Sequence, residues 1–124
     1  MTNQSAVNWF EIPATDIGRA MKFYGTVMGW ALDVVDFEGI KMAIFPHAGE
    51  GVGGALVQGQ GCGTPSKEGA VVYLNGGEDL TIPLARIEAA GGKVVIPKTS
   101  IGPHGFFAQF IDSEGNRLAL HSMK

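Results

Sequence analysis

A carboxylate and an imidazole lie near opposite ends of this chain of 124 residues, each in a segment with the pattern of a β-strand. Glu11 belongs to the first such segment and His121 to the last. A histidine side chain titrates near neutral pH, and a carboxylate beside it can orient it for proton transfer. If the fold brings the two strands together, Glu11 and His121 are candidate catalytic residues. Otherwise Glu11 is a solvent-exposed strand carboxylate and His121 lies at the rim of the domain.

Three other side chains of reactive type lie in segments rich in glycine or proline. His47 is expected to be a solvated loop histidine, whereas the loop that carries His104 can overhang a binding site. Cys62 lies between two glycines, and no base is placed to make it a nucleophile. Of the three, only His104 is therefore retained as a candidate ligand-binding residue.

The composition restricts the class of protein. With 45% hydrophobic residues, 17% charged residues and 19 glycines, the chain fits one compact domain with an ordinary core. A net charge of −3 provides no basic surface for nucleic acid or anionic lipid. No signal peptide and no apolar run of about 18 residues is present, so no membrane partner is expected. Because Cys62 cannot form an internal disulfide, we predict a cytoplasmic location.

Hydrophobic periodicity predicts the order strand-helix-strand-strand-strand, twice. Asp16 and Asp79 each precede a predicted helix, and Gly29 and Gly92 follow them at the same separation, which indicates a duplicated unit. The predicted strands cover about 6–13, 31–37, 40–46, 51–58, 69–75, 93–98, 106–112 and 117–122, and the helices about 16–28 and 80–90. Residues 1–124 are thus one domain, with a first module over about 6–58, a linker over about 59–68 and a second module over about 69–122.

Three motifs resemble those of a known family. They are Asp16-Ile17 followed by Phe23-Tyr24 and Met28-Gly29-Trp30, the helix Leu84–Gly92, and the closing turn and strand Asp112–Leu120. In this order and spacing they resemble the vicinal oxygen chelate superfamily, which includes glyoxalases, bleomycin resistance proteins and extradiol dioxygenases. The resemblance implies an α+β fold in which two βαβββ modules form a curved eight-stranded cup with the helices outside. It also implies a homodimer.

The resemblance further implies a metal site, whose ligands in the metal-binding members come from the first and last strand of each module and are commonly His and Glu. Carried over to this sequence, none of the four positions holds a good ligand for a divalent metal. They fall at Asn8 or Trp9, at Gly53, Gly54 or Ala55, at Val71 or Val72, and at Ala119. We therefore expect no metal ligands and no cofactor.

Strand alternation predicts which side chains face the implied cup. Phe10 and Ile12 suit the helix-packed face, which turns Trp9 and Glu11 inward. The same argument turns Tyr73 and Asn75 inward in the fifth strand, and Arg117, Ala119 and His121 in the last. The alternation in 106–111 is ambiguous, with a slight preference for Gln109 facing inward beside Phe107 and Ile111. The predicted ligand-binding residues are Trp9, Tyr73, Asn75, Gln109 and His104, with Glu11 and His121 as the catalytic residues.

The favoured function is a glyoxalase- or bleomycin-resistance-like protein that binds a small organic ligand in the cup without the family's usual metal. It either sequesters that ligand or acts as a metal-free lyase or isomerase, with Glu11 and His121 in proton transfer. One alternative is a metal-dependent enzyme of the lactoylglutathione lyase type, in which a metal polarises a carbonyl. The other is a non-catalytic dimerisation or regulatory module.

Overall fold

Two four-stranded mixed sheets form the chain, each built from a strand, a helical segment and three further strands. The structure is a computed structural model that describes residues 6–47, 49 and 51–124. The strands are β1 (Trp9–Pro13), β2 (Asp33–Phe37), β3 (Ile40–Ile44), β4 (Gly53–Gln58), β5 (Val72–Asn75), β6 (Lys93–Ser100), β7 (Phe106–Ile111) and β8 (Arg117–Ser122). The helices are α1 (Ile17–Met28) and α2 (Thr81–Leu84), with a 3₁₀ turn at Gly102–His104.

Both sheets have the same topology, which confirms the repeated order predicted from the sequence. The strand order is β1-β4-β3-β2 in the first sheet and β5-β8-β7-β6 in the second. In each sheet the first and last strands of the module pair in parallel, and the other pairs are antiparallel. This is the predicted α+β architecture of two modules, and it is consistent with a curved cup. Within the described residues, β1 and β5 each lie at a sheet edge and pair with one strand only.

Helix α1 begins and ends as its sequence predicts. The Asp16 side chain accepts a hydrogen bond from the Arg19 backbone N–H at 3.0 Å, and Gly29 ends the helix in the left-handed region at φ 72°. The buried side of the helix differs slightly from the predicted stripe, because Phe23 and Val27 are fully buried whereas Met21 is only partly so.

The second helix is shorter than the predicted 80–90, since α-helix covers only Thr81–Leu84. Pro83 lies in its first turn, where the absent N–H costs no helical hydrogen bond. Beyond Leu84 the chain continues in turns, with bonds from Arg86 N–H to the Pro83 carbonyl and from Ile87 N–H to the Leu84 carbonyl. These bonds span three residues and tighten the coil. Leu80 and Ile87 of this segment are nevertheless completely buried. The segment therefore contributes to the core without forming three helical turns.

One hydrophobic core joins the two modules. Phe23 of α1 packs against Phe110 of β7, with ring centroids 6.1 Å apart. The same buried cluster holds Ile12 and Leu56 from the first module and Leu120 from the second. Each helical segment therefore packs on the core side of the sheets, and no helix of the described residues covers the opposite sheet faces.

A buried polar network also crosses between the modules, at the turn that joins β7 to β8. The Tyr24 hydroxyl of α1 donates to Asp112 Oδ2 at 2.6 Å, and Asp112 Oδ1 accepts the backbone N–H groups of Glu114 and Asn116. Asn116 Nδ2 donates to the Pro13 carbonyl at 2.7 Å. Burial, and then the charge of Asp112, raise the pKa of Tyr24 well above its usual value, so the hydroxyl stays a donor.

Glu114 of the same turn binds the start of α1. Its Oε1 accepts the backbone N–H groups of Thr15 and Asp16 at 2.9 and 2.8 Å, and its Oε2 pairs with Arg19 Nε at 2.7 Å. The Glu114 side chain has no solvent-exposed surface, whereas Arg19 is 54% exposed. Burial alone would raise the pKa of Glu114, but hydrogen bonds from Arg19, the Asp16 N–H and Ser113 lower it to about 2.

The low pKa of Glu114 predicts a pH-dependent stability. Because the ionised form of Glu114 is favoured in the folded state, the carboxylate contributes to the free energy of unfolding above about pH 5. This contribution is lost as the pH falls towards 2. At neutral pH, Glu114→Gln should lower the free energy of unfolding by at most about 3 kcal/mol, at 1.36 kcal/mol per pKa unit. Urea unfolding of the variant and the wild type at pH 7 and pH 3 should show this difference shrinking at the lower pH. Glu78→Gln, at an exposed carboxylate, is the control, and a difference that stays constant with pH contradicts the prediction.

Candidate functional site

Four of the predicted site residues share one face of the second sheet. Tyr73 and Asn75 lie on β5, Gln109 on β7 and His121 on β8. Their strand neighbours Leu74, Ala108, Phe110, Leu118 and Leu120 belong to the core, so these four point to the opposite side, called here the outer face. Gln109 therefore shares a face with Tyr73, Asn75 and His121, which is the side chain alternation that the sequence slightly favoured for 106–111.

The strand register orders these side chains in two rows. Asn75, His121 and Phe107 are opposite one another across β5, β8 and β7. Tyr73, Ala119 and Gln109 form the adjacent row. Neighbouring strands are about 4.8 Å apart, so one small ligand can touch Asn75 and His121 together. The rings of Tyr73 and Phe107 have centroids 6.3 Å apart.

The His121 ring is held by the backbone of His104. Its Nε2 lies 2.7 Å from the His104 carbonyl oxygen. A carbonyl oxygen can only accept, so Nε2 carries the hydrogen and the neutral ring has its lone pair on Nδ1. His104 thus takes part in the site through its main chain. The proton-accepting atom of His121 is Nδ1.

A cavity of about 620 Å³ lies against this ring and is called here the His121 cavity. Its lining includes Tyr73, Asn75, Gly77, Ile101, His121 and Met123. Asn75 Oδ1 accepts the Gly77 N–H at 2.9 Å, which leaves the Asn75 amide group to donate into the cavity. The volume lies within the range of small-molecule sites, about 300–1,000 Å³.

The structure does not bring Glu11 to His121. Glu11 lies on the first sheet, in register with Ala55, and its Oε2 accepts a hydrogen bond from Trp9 Nε1 at 3.2 Å. It lines a separate cavity of about 180 Å³ with Ser66, Glu68, Asn116 and Arg117, among others. Glu11 is exposed, as in the alternative of a solvent-exposed strand carboxylate. The pairing was predicted because each residue belongs to a terminal strand of its module, but these strands lie in different sheets.

Two features of the sites were given no role by the sequence. Arg117 lines the same cavity of about 180 Å³ as Glu11. Its buried Nε has no hydrogen-bond partner in the part of the chain that the structure describes. A larger cavity of about 1,100 Å³, called here the junction cavity, lies between the two modules and is lined by Phe10, Trp30 and Phe45 among others. Strand alternation alone indicated the direction of Arg117. No sequence signal marks a cavity at a module boundary.

The residues at the family's metal positions do not fit a metal. Ala119 is fully buried between Tyr73 and Gln109, and Ala55 lies beside Glu11. Alanine side chains offer no donor atom. Across residues 6–47, 49 and 51–124, no three side chains of His, Cys, Asp or Glu are grouped so as to hold a metal ion.

The His104 contact predicts the tautomer of His121. In ¹⁵N NMR spectra of the imidazole rings near pH 8, His121 should show a protonated Nε2 and an unprotonated Nδ1, with Nε2–H slow to exchange. The exposed ring of His47 is the internal comparison and should exchange its proton rapidly. A His121 ring that is protonated mainly on Nδ1 would contradict the assignment.

No helix among the described residues has the length and apolar character needed to cross a membrane.

The sequence model of the bleomycin resistance protein-like N-terminal family matches residues 7–45. A glyoxylase-like domain-containing protein of Didymella fabae is 33% identical over 129 residues, which cover 97% of this chain and 95% of that protein.

Solved structures of this family have the same fold. A glyoxylase/bleomycin resistance protein/dioxygenase domain from Frankia sp. EAN1pec is 18% identical with a TM-score of 0.72, over 98% of this chain and 94% of that one. Glyoxalase I from Zea mays is 20% identical with a TM-score of 0.69, over 94% of this chain but only 45% of the maize chain. With a full-length relative at one-third identity, this chain belongs to the glyoxalase/bleomycin resistance family of the vicinal oxygen chelate superfamily.

Proposed function

We propose that the protein binds a small organic ligand in the His121 cavity, without the family's usual metal. The observation that carries the proposal is the fixed His121 ring, whose Nδ1 is an acceptor beside the donor amide of Asn75. An acceptor and a donor on adjacent strands suit a ligand that has a hydroxyl, or an acidic C–H, next to a carbonyl. Tyr73 and Ile101 supply apolar contact area, and Gln109 lies one row away on the same face.

The same geometry supports proton transfer by His121. Nδ1 takes the proton as the O–H or C–H bond of the ligand breaks, and the electron pair of that bond stays on the ligand. The imidazolium that forms keeps its Nε2–H bond to the His104 carbonyl, which stabilises the positive charge. The Asn75 amide donates to the oxygen on which negative charge develops. Glu11 remains a predicted catalytic residue, but no step within one chain uses it because it lines another cavity.

A thermal-shift screen of aromatic and aliphatic hydroxy-carbonyl compounds tests the proposal. At least one compound should stabilise the protein, and the shift should persist after dialysis against EDTA. For that compound, His121→Phe and Asn75→Ala should each weaken binding about tenfold, because each removes one hydrogen bond to the ligand and a tenfold loss of affinity corresponds to about 1.4 kcal/mol. Gln60→Ala, in the exposed linker, is the control and should bind like the wild type.

The outcomes separate the alternatives. A screen without any stabilising compound would contradict ligand binding and favour the non-catalytic dimerisation or regulatory module. A shift that EDTA removes, together with turnover of a hemithioacetal only after nickel or zinc is added, would favour the metal-dependent lyase. Binding that His121→Phe leaves intact would place the ligand elsewhere.

We also propose that the protein is a homodimer that uses the exposed apolar face of the first sheet. Trp9, Val35 and Phe37 are 43%, 41% and 59% exposed and lie on the sheet face opposite the core. Large exposed side chains gathered on one sheet face are typical of association surfaces.

Sedimentation velocity should therefore show a dimer, and Phe37→Asp should shift the protein towards the monomer because a carboxylate would be buried in the interface. Val95→Asp, an exposed valine on β6, is the matched control and should leave the dimer intact. A monomeric wild type at micromolar concentration would contradict the proposal.

A further inference from the structure

The junction cavity lies where the first strands of the two modules face each other. Val7 and Phe10 line it from the first module, and Val71, Val72 and Tyr73 from the second. In the described residues neither β1 nor β5 has a strand on its second edge. Backbone N–H and C=O groups on these edges are thus not engaged in a sheet at the cavity wall.

Aromatic rings form one side of the junction cavity. Phe10 stacks on Phe45 with ring centroids 5.8 Å apart and 22° between the ring planes, and Trp30 meets Phe45 edge-on at 5.7 Å. Phe45 is buried, whereas Phe10 and Trp30 are half-buried and keep ring surface towards the cavity. A Cβ atom at Gly54 would lie 2.3 Å from the Phe10 ring, so only glycine lets this ring lie against β4.

Apolar and uncharged polar side chains make up the described part of the junction cavity lining. None of its described lining residues is Asp, Glu, Lys or Arg, and its polar side chains include His47 and Asn75. Burial of a charged ligand group without a partner costs several kcal/mol, so the lining discriminates against ions. The volume of about 1,100 Å³ accommodates two or three fused rings.

We propose that the junction cavity is a second ligand site, which binds an uncharged planar aromatic molecule between the edges of β1 and β5. The ring system stacks on Phe10 and Trp30, and its polar edge hydrogen-bonds to backbone groups of the two unpaired strand edges. The site differs from the His121 cavity in its aromatic wall of Phe10, Trp30 and Phe45, although Tyr73, Leu74, Asn75 and Gly77 line both cavities. Its described lining offers aromatic rings and no charged side chain, whereas the His121 cavity offers paired hydrogen-bonding groups.

The neutral fluorophore 1-aminoanthracene tests this proposal, because its absorption overlaps tryptophan emission. Titration should show saturable binding of one probe per chain, with energy transfer from tryptophan. Val7→Asp should weaken the affinity at least tenfold, because it places a carboxylate at the cavity wall. Val95→Asp is the matched control, because Val95 is 42% exposed, against 51% for Val7, and lies on β6 away from the cavity. This variant should bind the probe with the affinity of the wild type.

Two further measurements complete the test. Anthracene-2-sulfonate, which has the same rings and a negative charge, should bind at least tenfold more weakly than the neutral probe. His121→Phe should keep the affinity for 1-aminoanthracene, so that failure of the His121 site and failure of this site are distinguishable. Circular dichroism and thermal unfolding check that each variant is folded. Equal affinities for the two probes, or equal losses in Val7→Asp and Val95→Asp, would overturn the proposal.

Discussion

The turn between β7 and β8 is the interaction on which the arrangement of the two modules depends. It binds the other module at three points: the Tyr24 hydroxyl through Asp112, the Pro13 carbonyl through Asn116, and the first turn of α1 through Glu114. Tyr24, Asp112 and Asn116 are buried, so loss of one of these partners leaves another polar group unsatisfied. The network therefore holds the end of β1 and the start of α1 against the second module.

This attachment determines which surfaces are left for ligands. The helical segments and the core lie on one side of the sheets, and among the described residues the first strand of each module pairs with only one other strand. The His121 cavity lies on the outer face, and the junction cavity lies between the unpaired edges. The two cavities differ in chemistry because the lining of one includes the hydrogen-bonding groups of Asn75 and His121, whereas the lining of the other includes the aromatic rings of Phe10, Trp30 and Phe45.

The first and last strands of each module carry the side chains that define the outer face of each sheet. On the last strands, Ala55 and Ala119 are small and fully buried. Their neighbours Glu11, Tyr73 and Gln109 then determine the chemistry of each sheet face. In a fold of this kind the strands are held together by their pairing and by core packing. Neither depends on which side chains the outer face carries.

The sequence by itself determined the local structure and its repetition. Period-2 alternation was enough to orient Tyr73, Asn75 and His121, because each has a core leucine as its strand neighbour, and the Asp16 and Gly29 caps were enough to bound α1. The length of α2 was not predicted, since apolar spacing does not reveal where i→i−3 bonds replace helical ones after Pro83. Only the tertiary structure separated Glu11 from His121, aimed the Glu114 carboxylate at α1 and opened a cavity beside Phe10 and Trp30. The physical reason is that alternation decides which face of a sheet a side chain occupies, whereas distances between sheets depend on how the core packs and on contacts between residues far apart in the chain.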